Sequence, residues 1–222
     1  MTLAGVPGGM DARQSMDRMY RLQRHFYDLT RKYYLFGRDG LIERLGARPG
    51  ETVCEVGCGT ARNLVKMAAR YPGTRFVGLD ASDEMLKTAA AAVARAGLAG
   101  RIPLAQGYAQ TFTPASFGLD APFDRIVFSY TLSIIPGPVE ALDNALAQLR
   151  PGGSLHVVDF GDAADLPGGF RRLLAWWLGK FHVAHRPEVG AWFAARAADG
   201  AGRLETRTIG GRYAEFFTLT RT

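Results

Sequence analysis

The chain has 222 residues, 47% of them apolar, and a formal net charge of +6, which suits one globular domain with a sizeable core. No apolar run approaches the roughly 18 residues a membrane-crossing helix needs, and the first residues lack the basic-then-apolar order of an export leader, so a cytoplasmic protein is expected. With two cysteines in all, neither a disulfide framework nor a cysteine-rich zinc site is expected, and Cys54 and Cys58 read as small packing residues.

The charge is uneven: +4 over residues 1–50, −3 over residues 51–170 and +5 over residues 171–222. Basic flanks around an acidic middle suit a phosphate-rich surface, either an anionic membrane or nucleic acid. Residues 1–14 read as a mobile tail. From Ser15, Met19, Leu22, Phe26, Leu29, Tyr33 and Phe36 recur at spacings of three and four, one stripe of a helix. Arg18, Arg21, Arg24, His25, Arg31 and Lys32 fall mostly beside that stripe, and Tyr20, Tyr27 and Tyr34 fill a neighbouring row. The region 15–45 is therefore expected to be amphipathic, either lying in a membrane interface or closing as a lid over a ligand pocket.

Residues Val53–Asn63 (V-C-E-V-G-C-G-T-A-R-N) set a glycine-rich turn between a short apolar strand and a helix. Gly57 and Gly59 lack a Cβ, so the backbone there can turn left-handed and approach a ligand closely. The pattern is G-x-G with Asn63 in place of a third glycine, which weakens a pyrophosphate reading. Glu55 beside the turn argues the same way, because a carboxylate repels phosphates and suits an amine or a cation.

After the turn, strands and helices alternate as in a doubly wound sheet. A helix is expected over Ala61–Arg70, a strand over Arg75–Asp80, and a helix from Asp83 to about Ala96 capped by Ser82. Further strands are expected over Ile102–Gln106, Phe123–Ser129 and Ser154–Phe160, the last entered through the turn Arg150-Pro151-Gly152-Gly153. A helix over Pro138–Leu149 separates the last two. Gly210-Gly211 between Arg203–Ile209 and Tyr213–Thr220 signals a closing antiparallel hairpin. No repeat or interdomain linker is visible, so residues 1–222 read as one domain with its ligand-binding α/β core over 46–222.

The run E-V-G-C-G-T, followed by F-V-G-L-D ending at Asp80, 21 residues after Gly59, resembles the class I S-adenosylmethionine-dependent methyltransferases. L-R-P-G-G-S-L-H-V-V-D resembles the same fold. The resemblance implies a Rossmann-like, mostly parallel seven-stranded sheet, and a cofactor site holding S-adenosylmethionine, released as S-adenosylhomocysteine. On that basis Glu55, Gly57, Cys58, Gly59, Thr60 and Asn63 border its amino-acid part, while Asp80, with Ala81 and Met85 beyond it, meets the ribose hydroxyls. Where many relatives carry an Asp for the adenine amino group, this chain has Gly107-Tyr108-Ala109-Gln110. Tyr108 is expected to border the base, with Ala109 backbone or the Gln110 side chain making the polar contact. Ser129, Tyr130 and Ser133 are expected to face the crevice, and Tyr20 and Lys32 to reach the cofactor from the N-terminal segment.

Tyr20–Asp39 (Y-R-L-Q-R-H-F-Y-D-L-T-R-K-Y-Y-L-F-G-R-D) and Phe181–Val189 (F-H-V-A-H-R-P-E-V) are similar to bacterial diacylglyceryl-homoserine N-methyltransferases. This similarity implies triple methylation of a lipid amine at an anionic membrane surface, with the protein held peripherally on the inner face of the cell membrane. Tyr27, Tyr130 and His182 are then the candidate catalytic residues. Tyr33, Tyr34, Arg38, His182 and Arg186 are the candidates for the lipid head group, and His156, His182 and His185 for accepting the amine proton. Phosphatidylethanolamine, or a small quinone-type molecule, is the alternative acceptor. Nucleic acid is not expected, since no RNA-binding module and no Asn/Asp-Pro-Pro-Tyr signature is visible, and no metal is expected.

Overall fold

The computed structural model describes residues 35–180 and 183–222, and the compact unit that carries the sheet runs from Gly37 to Thr222. The expected tail and amphipathic stripe, with Tyr20, Tyr27, Lys32, Tyr33 and Tyr34, lie outside the described residues, as does His182.

In chain order the elements are α1 (Arg38–Arg44), β1 (Thr52–Val56), α2 (Arg62–Arg70), β2 (Arg75–Asp80), α3 (Asp83–Arg95), β3 (Leu104–Gln106), a 3-10 turn (Pro114–Phe117), β4 (Phe123–Ser129), α4 (Pro138–Gln148), β5 (Leu149–Phe160), α5 (Gly168–Gly179), α6 (Pro187–Ala198), β6 (Gly202–Ile209) and β7 (Ala214–Arg221). They build a seven-stranded sheet in the order β3-β2-β1-β4-β5-β7-β6, with helices on both faces. β7 runs antiparallel to both β5 and β6, which gives the expected closing hairpin. Strand order reverses between β1 and β4, and the crevice outside that switch point is where open α/β sheets bind ligands.

The central strands are buried on both faces, as parallel strands under helices must be, which is why β1 and β4 read as near-continuous apolar runs. Phe76, Phe112, Phe123, Phe128 and Phe193 are fully buried, each worth about 1.5–3 kcal/mol of burial. Ser82 caps α3 as expected: its Oγ accepts the Met85 N–H at 3.3 Å, and Asp83 and Glu84 sit in the first turn, where the helix dipole favours them.

Several boundaries differ from expectation for local reasons. β3 starts at Leu104 because Pro103 has no N–H to pair, although its carbonyl still accepts from Gly78 at 3.0 Å. β5 begins at Leu149, before the Arg150–Gly153 stretch. Leu149 pairs with Phe123, and a register shift then carries the pairing to Ser154 against Arg125. Gly210, Gly211 and Arg212 all turn left-handed, so the hairpin loop takes in Tyr213. Helices α5 and α6 were not expected. Helix α1, inside the expected lid region, belongs with the sheet unit and buries Leu41 and Ile42.

Candidate active site

The glycine turn is tied to both neighbouring strands. Gly57 and Cys58 donate their N–H groups to the Leu79 carbonyl at 2.8 and 2.9 Å. Gly57 has φ 72°, and a Cβ there would stand 2.4 Å from Thr131 Cγ2 and 2.5 Å from its Oγ1. Only glycine lets the chain turn while the segment after β4 packs this close. Gly59 donates its N–H to Asp80 Oδ2 at 2.8 Å, and Ser82 donates to Oδ1 at 2.9 Å. Asp80 therefore ties the turn to the start of α3. A carboxylate has about four acceptor sites, enough to hold the loop and still take ligand hydroxyls.

Glu55, 1% exposed at the crevice end of β1, is the most unusual charge carrier here. Asn63 donates Nδ2–H to its Oε1 at 2.7 Å, while Oε2 is buried with no hydrogen-bond partner among the described residues. Burial pushes the carboxyl up to about 8, against the Asn63 hydrogen bond and the Arg38 charge; nearby Asp80 adds to the rise. An unpartnered oxygen so placed suits a cationic ligand. Cys54 and Cys58 are buried free thiols whose ionisation burial pushes up, in keeping with their reading as packing residues.

On the β2–β3 side, Gly107 donates to the Asp80 carbonyl at 3.1 Å, and Gln106 Nε2 donates to the Ala81 carbonyl at 3.2 Å. Tyr108 is half exposed beside them, and Ala109 is buried, its carbonyl accepting from Asn144 at 3.1 Å. Gln110 Nε2 donates to the Pro136 carbonyl at 2.7 Å, so this amide fastens the loop before α4 through its nitrogen.

On the other side, Ser129 ends β4 with its Oγ buried and unpartnered among the described residues. Tyr130 turns left-handed at φ 56°, a strained state for a tyrosine, and donates its N–H to Val158 at 2.8 Å. Its buried ring begins an aromatic row: Tyr130 to Phe160 at 4.6 Å, then Phe160 to Tyr213 at 5.7 Å, both edge-on. Burial raises the phenol of Tyr130, whereas the Arg38 charge acts the other way, as it does on Glu55. Arg38 is thus brought to the site from α1. Arg186 caps the start of α6 and lies 3.7 Å from Glu188.

Three residues that sequence reasoning missed complete this side. Asp159 is buried at the end of β5, accepting from Ser133 N–H at 3.1 Å and Phe160 N–H at 2.8 Å; burial raises its ionisation. It pairs across the sheet with Glu215, whose carboxyl burial also raises and which lies 3.9 Å from His185. Tyr213 completes the aromatic row. The available signal was an acid inside the apolar run L-H-V-V-D-F. His156, by contrast, is no proton acceptor for this crevice. Its Nε2 lies 2.8 Å from Ser154 Oγ, in a chain through Arg125 to Glu51 at the opposite end of the strands. Burial, then the Arg125 charge, pushes it down to about 3, so it stays neutral.

Comparison with known proteins agrees with this geometry. The family described as "Methyltransferase domain" matches residues 47–188. Trans-aconitate 2-methyltransferase of Streptomyces avermitilis is 36% identical over 118 residues, 53% of this chain and 39% of that protein. Demethylmenaquinone methyltransferase of Corynebacterium efficiens is 32% identical over 139 residues, 60% of this chain and 54% of that protein. A SAM-dependent methyltransferase from Aquifex aeolicus shares the fold at TM-score 0.62 and 19% identity, covering 93% of this chain and 98% of its own. The chain spans 39–42% of the length of the trans-aconitate relatives it matches.

The chain belongs to the methyltransferase-domain family, with the class I fold, and its methyl donor is S-adenosylmethionine. Glu55 Oε2 and Ser129 Oγ, buried on neighbouring strands and unpartnered among the described residues, fit the charged amino-acid end of that donor.

Proposed function

We propose that this chain methylates the amine of a membrane lipid head group, with diacylglyceryl-homoserine converted to its trimethyl betaine form, at the inner face of the cell membrane. One observation carries the amine acceptor: the row Tyr130–Phe160–Tyr213 standing beside the buried Asp159 and its half-buried register partner Glu215. Ring faces attract an ammonium even after every N–H has been replaced by methyl, which is what repeated methylation requires. The lipid is supported by the similarity of Tyr20–Asp39 and Phe181–Val189 to the diacylglyceryl-homoserine enzymes, and by the basic flanks.

In this reading Glu55, Gly57, Cys58, Gly59, Thr60 and Asn63 hold the methionine end of the donor, Asp80, Ala81 and Met85 its ribose side, and Gly107, Tyr108 and Ala109 its base. When bound, the donor supplies an electrophilic methyl group on sulfur. A positively charged donor needs no strong base, so the chain's part is to position a neutral amine and exclude water. His185, polarised by Glu215, takes the amine proton at the crevice edge. Arg38 balances a carboxylate on the head group.

The names of the matched relatives favour a second reading, a small-molecule acceptor. Incubation with the donor and a panel of amino lipids, quinone precursors and small polycarboxylates, read by mass spectrometry, decides between them. Mono-, di- and trimethyl homoserine lipid is the expected product. Phosphatidylcholine formed from phosphatidylethanolamine would replace the head group, and methylated small molecules with untouched lipids would overturn the lipid acceptor.

A further inference from the structure

Helix α5 carries large apolar groups on its outer face. Leu173 and Trp176, one turn apart, are 58% and 59% exposed, although the same helix already buries Leu178 and half-buries Leu174 and Trp177. A surface helix normally shows polar groups opposite its buried stripe, so a second apolar ridge calls for a partner. Cations flank this ridge: Arg172 stands one turn before Trp176 and Lys180 one turn after, its ammonium 3.8 Å from the indole centre. No acidic residue occurs in α5.

Both ends of α5 are tied to the edge of the sheet where the crevice opens. Before it, Ala163 donates to the Arg212 carbonyl at 3.0 Å, next to Tyr213 of the aromatic row. After it, Val183 bonds back to Leu178, and Ala184 reaches the carbonyl of Ser133 at 3.5 Å. At 12 residues the helix is about 18 Å long, too short to cross a bilayer core of about 30 Å, which leaves an in-plane orientation.

We propose that α5 docks in the interface of an anionic bilayer, with Leu173 and Trp176 at the headgroup–acyl boundary and Arg172 and Lys180 on lipid phosphates. Tryptophan favours that depth, and cations beside it gain from the negative surface. The docking places the crevice edge at the membrane, and in that sense it rests on the lipid-acceptor reading.

Flotation of the full chain with phosphatidylcholine vesicles, with and without phosphatidylglycerol, tests the surface. Donor affinity measured by calorimetry checks that each variant folds. The wild type should float with anionic vesicles. Leu173→Ser/Trp176→Ser should lose at least about tenfold in vesicle affinity, and Arg172→Glu/Lys180→Glu about fivefold per cation removed. Variants that float like the wild type would sink the proposal. So would self-association of the wild type, without vesicles, that Leu173→Ser/Trp176→Ser abolishes, since the ridge would then belong to a second copy. Methylation of detergent-dispersed acceptor separates the two readings. A wild type that floats through α5 but methylates no lipid keeps this surface and loses the acceptor; one that methylates dispersed lipid but never floats does the reverse.

Discussion

Asn63, the second residue of α2, donates its side-chain amide to Glu55 in β1 at 2.7 Å, fixing one oxygen of a buried carboxyl and leaving the other unpartnered among the described residues. The hydrogen bond orients Glu55 without cancelling the cost of burying its charge. That cost has measurable consequences.

With its ionisation at about 8, Glu55 is mostly protonated at pH 7 in the free protein. A raised folded-state value stabilises the fold fully below the unfolded value of 4.5, and this contribution is lost as pH rises through 8. Glu55→Gln, which keeps the Asn63 bond, should therefore flatten the loss of stability between pH 5 and pH 9 by up to about 4 kcal/mol in denaturant titrations. Donor binding at pH 7 should release close to one proton, seen as buffer-dependent heats, and the release should vanish in Glu55→Gln. Identical proton release in both proteins would place the cationic end of the donor elsewhere.

Asp80 holds the Gly59 and Ser82 amides as well as its proposed ribose contacts. Asp80→Ala should weaken donor binding by about 1 to 3 kcal/mol, a loss of roughly five- to 150-fold by calorimetry. Unchanged affinity would remove Asp80 from the ribose.

Gly57→Ala should destabilise the fold by about 2 kcal/mol or more, combining a left-handed alanine with overlap against Thr131. Thr131→Ala in the same chain should recover part of that loss, because it removes the two closest atoms and leaves the backbone strain. Melting curves of the single and double variants give the coupling; simple additivity would show that the overlap does not govern this site.

His156 works in the opposite direction to Glu55. Its value near 3, against 6.5, means that the unfolded chain takes up the proton first, so its contribution is present above pH 6.5 and lost as pH falls toward 3. His156→Asn should reduce the loss of stability between pH 7 and pH 4 by about 2 to 3 kcal/mol, leaving the pH–rate profile unchanged. A shifted rate profile would return His156 to the chemistry.

Much of the fold was legible in order because local physics writes it. β2 and β4 have the bounds their apolar runs indicate, Ser82 caps α3, and Gly57 occupies a turn no other residue fits. Helix α6 was hidden because Gly190 interrupts its pattern; the helix forms nonetheless because it buries Val189, Trp192 and Phe193. Helix α5 was hidden because apolar residues on two faces blur a helical period.

By itself, the sequence determined that the glycine turn, Glu55 and Asp80 come together, because they lie on two adjacent β–α units whose spacing along the chain sets their spacing in space. Only the tertiary structure decided the other side of the crevice. Asp159 and Tyr213 come to Tyr130, and Glu215 to Asp159, through the pairing of β5 with β4 and β7; His156 lies level with Val127 and Glu55 in that register, yet its ring is taken up by Ser154 and, through it, Arg125. Which strand lies beside which is chosen by burial of the whole sheet, a sum over distant residues that no short stretch of chain encodes.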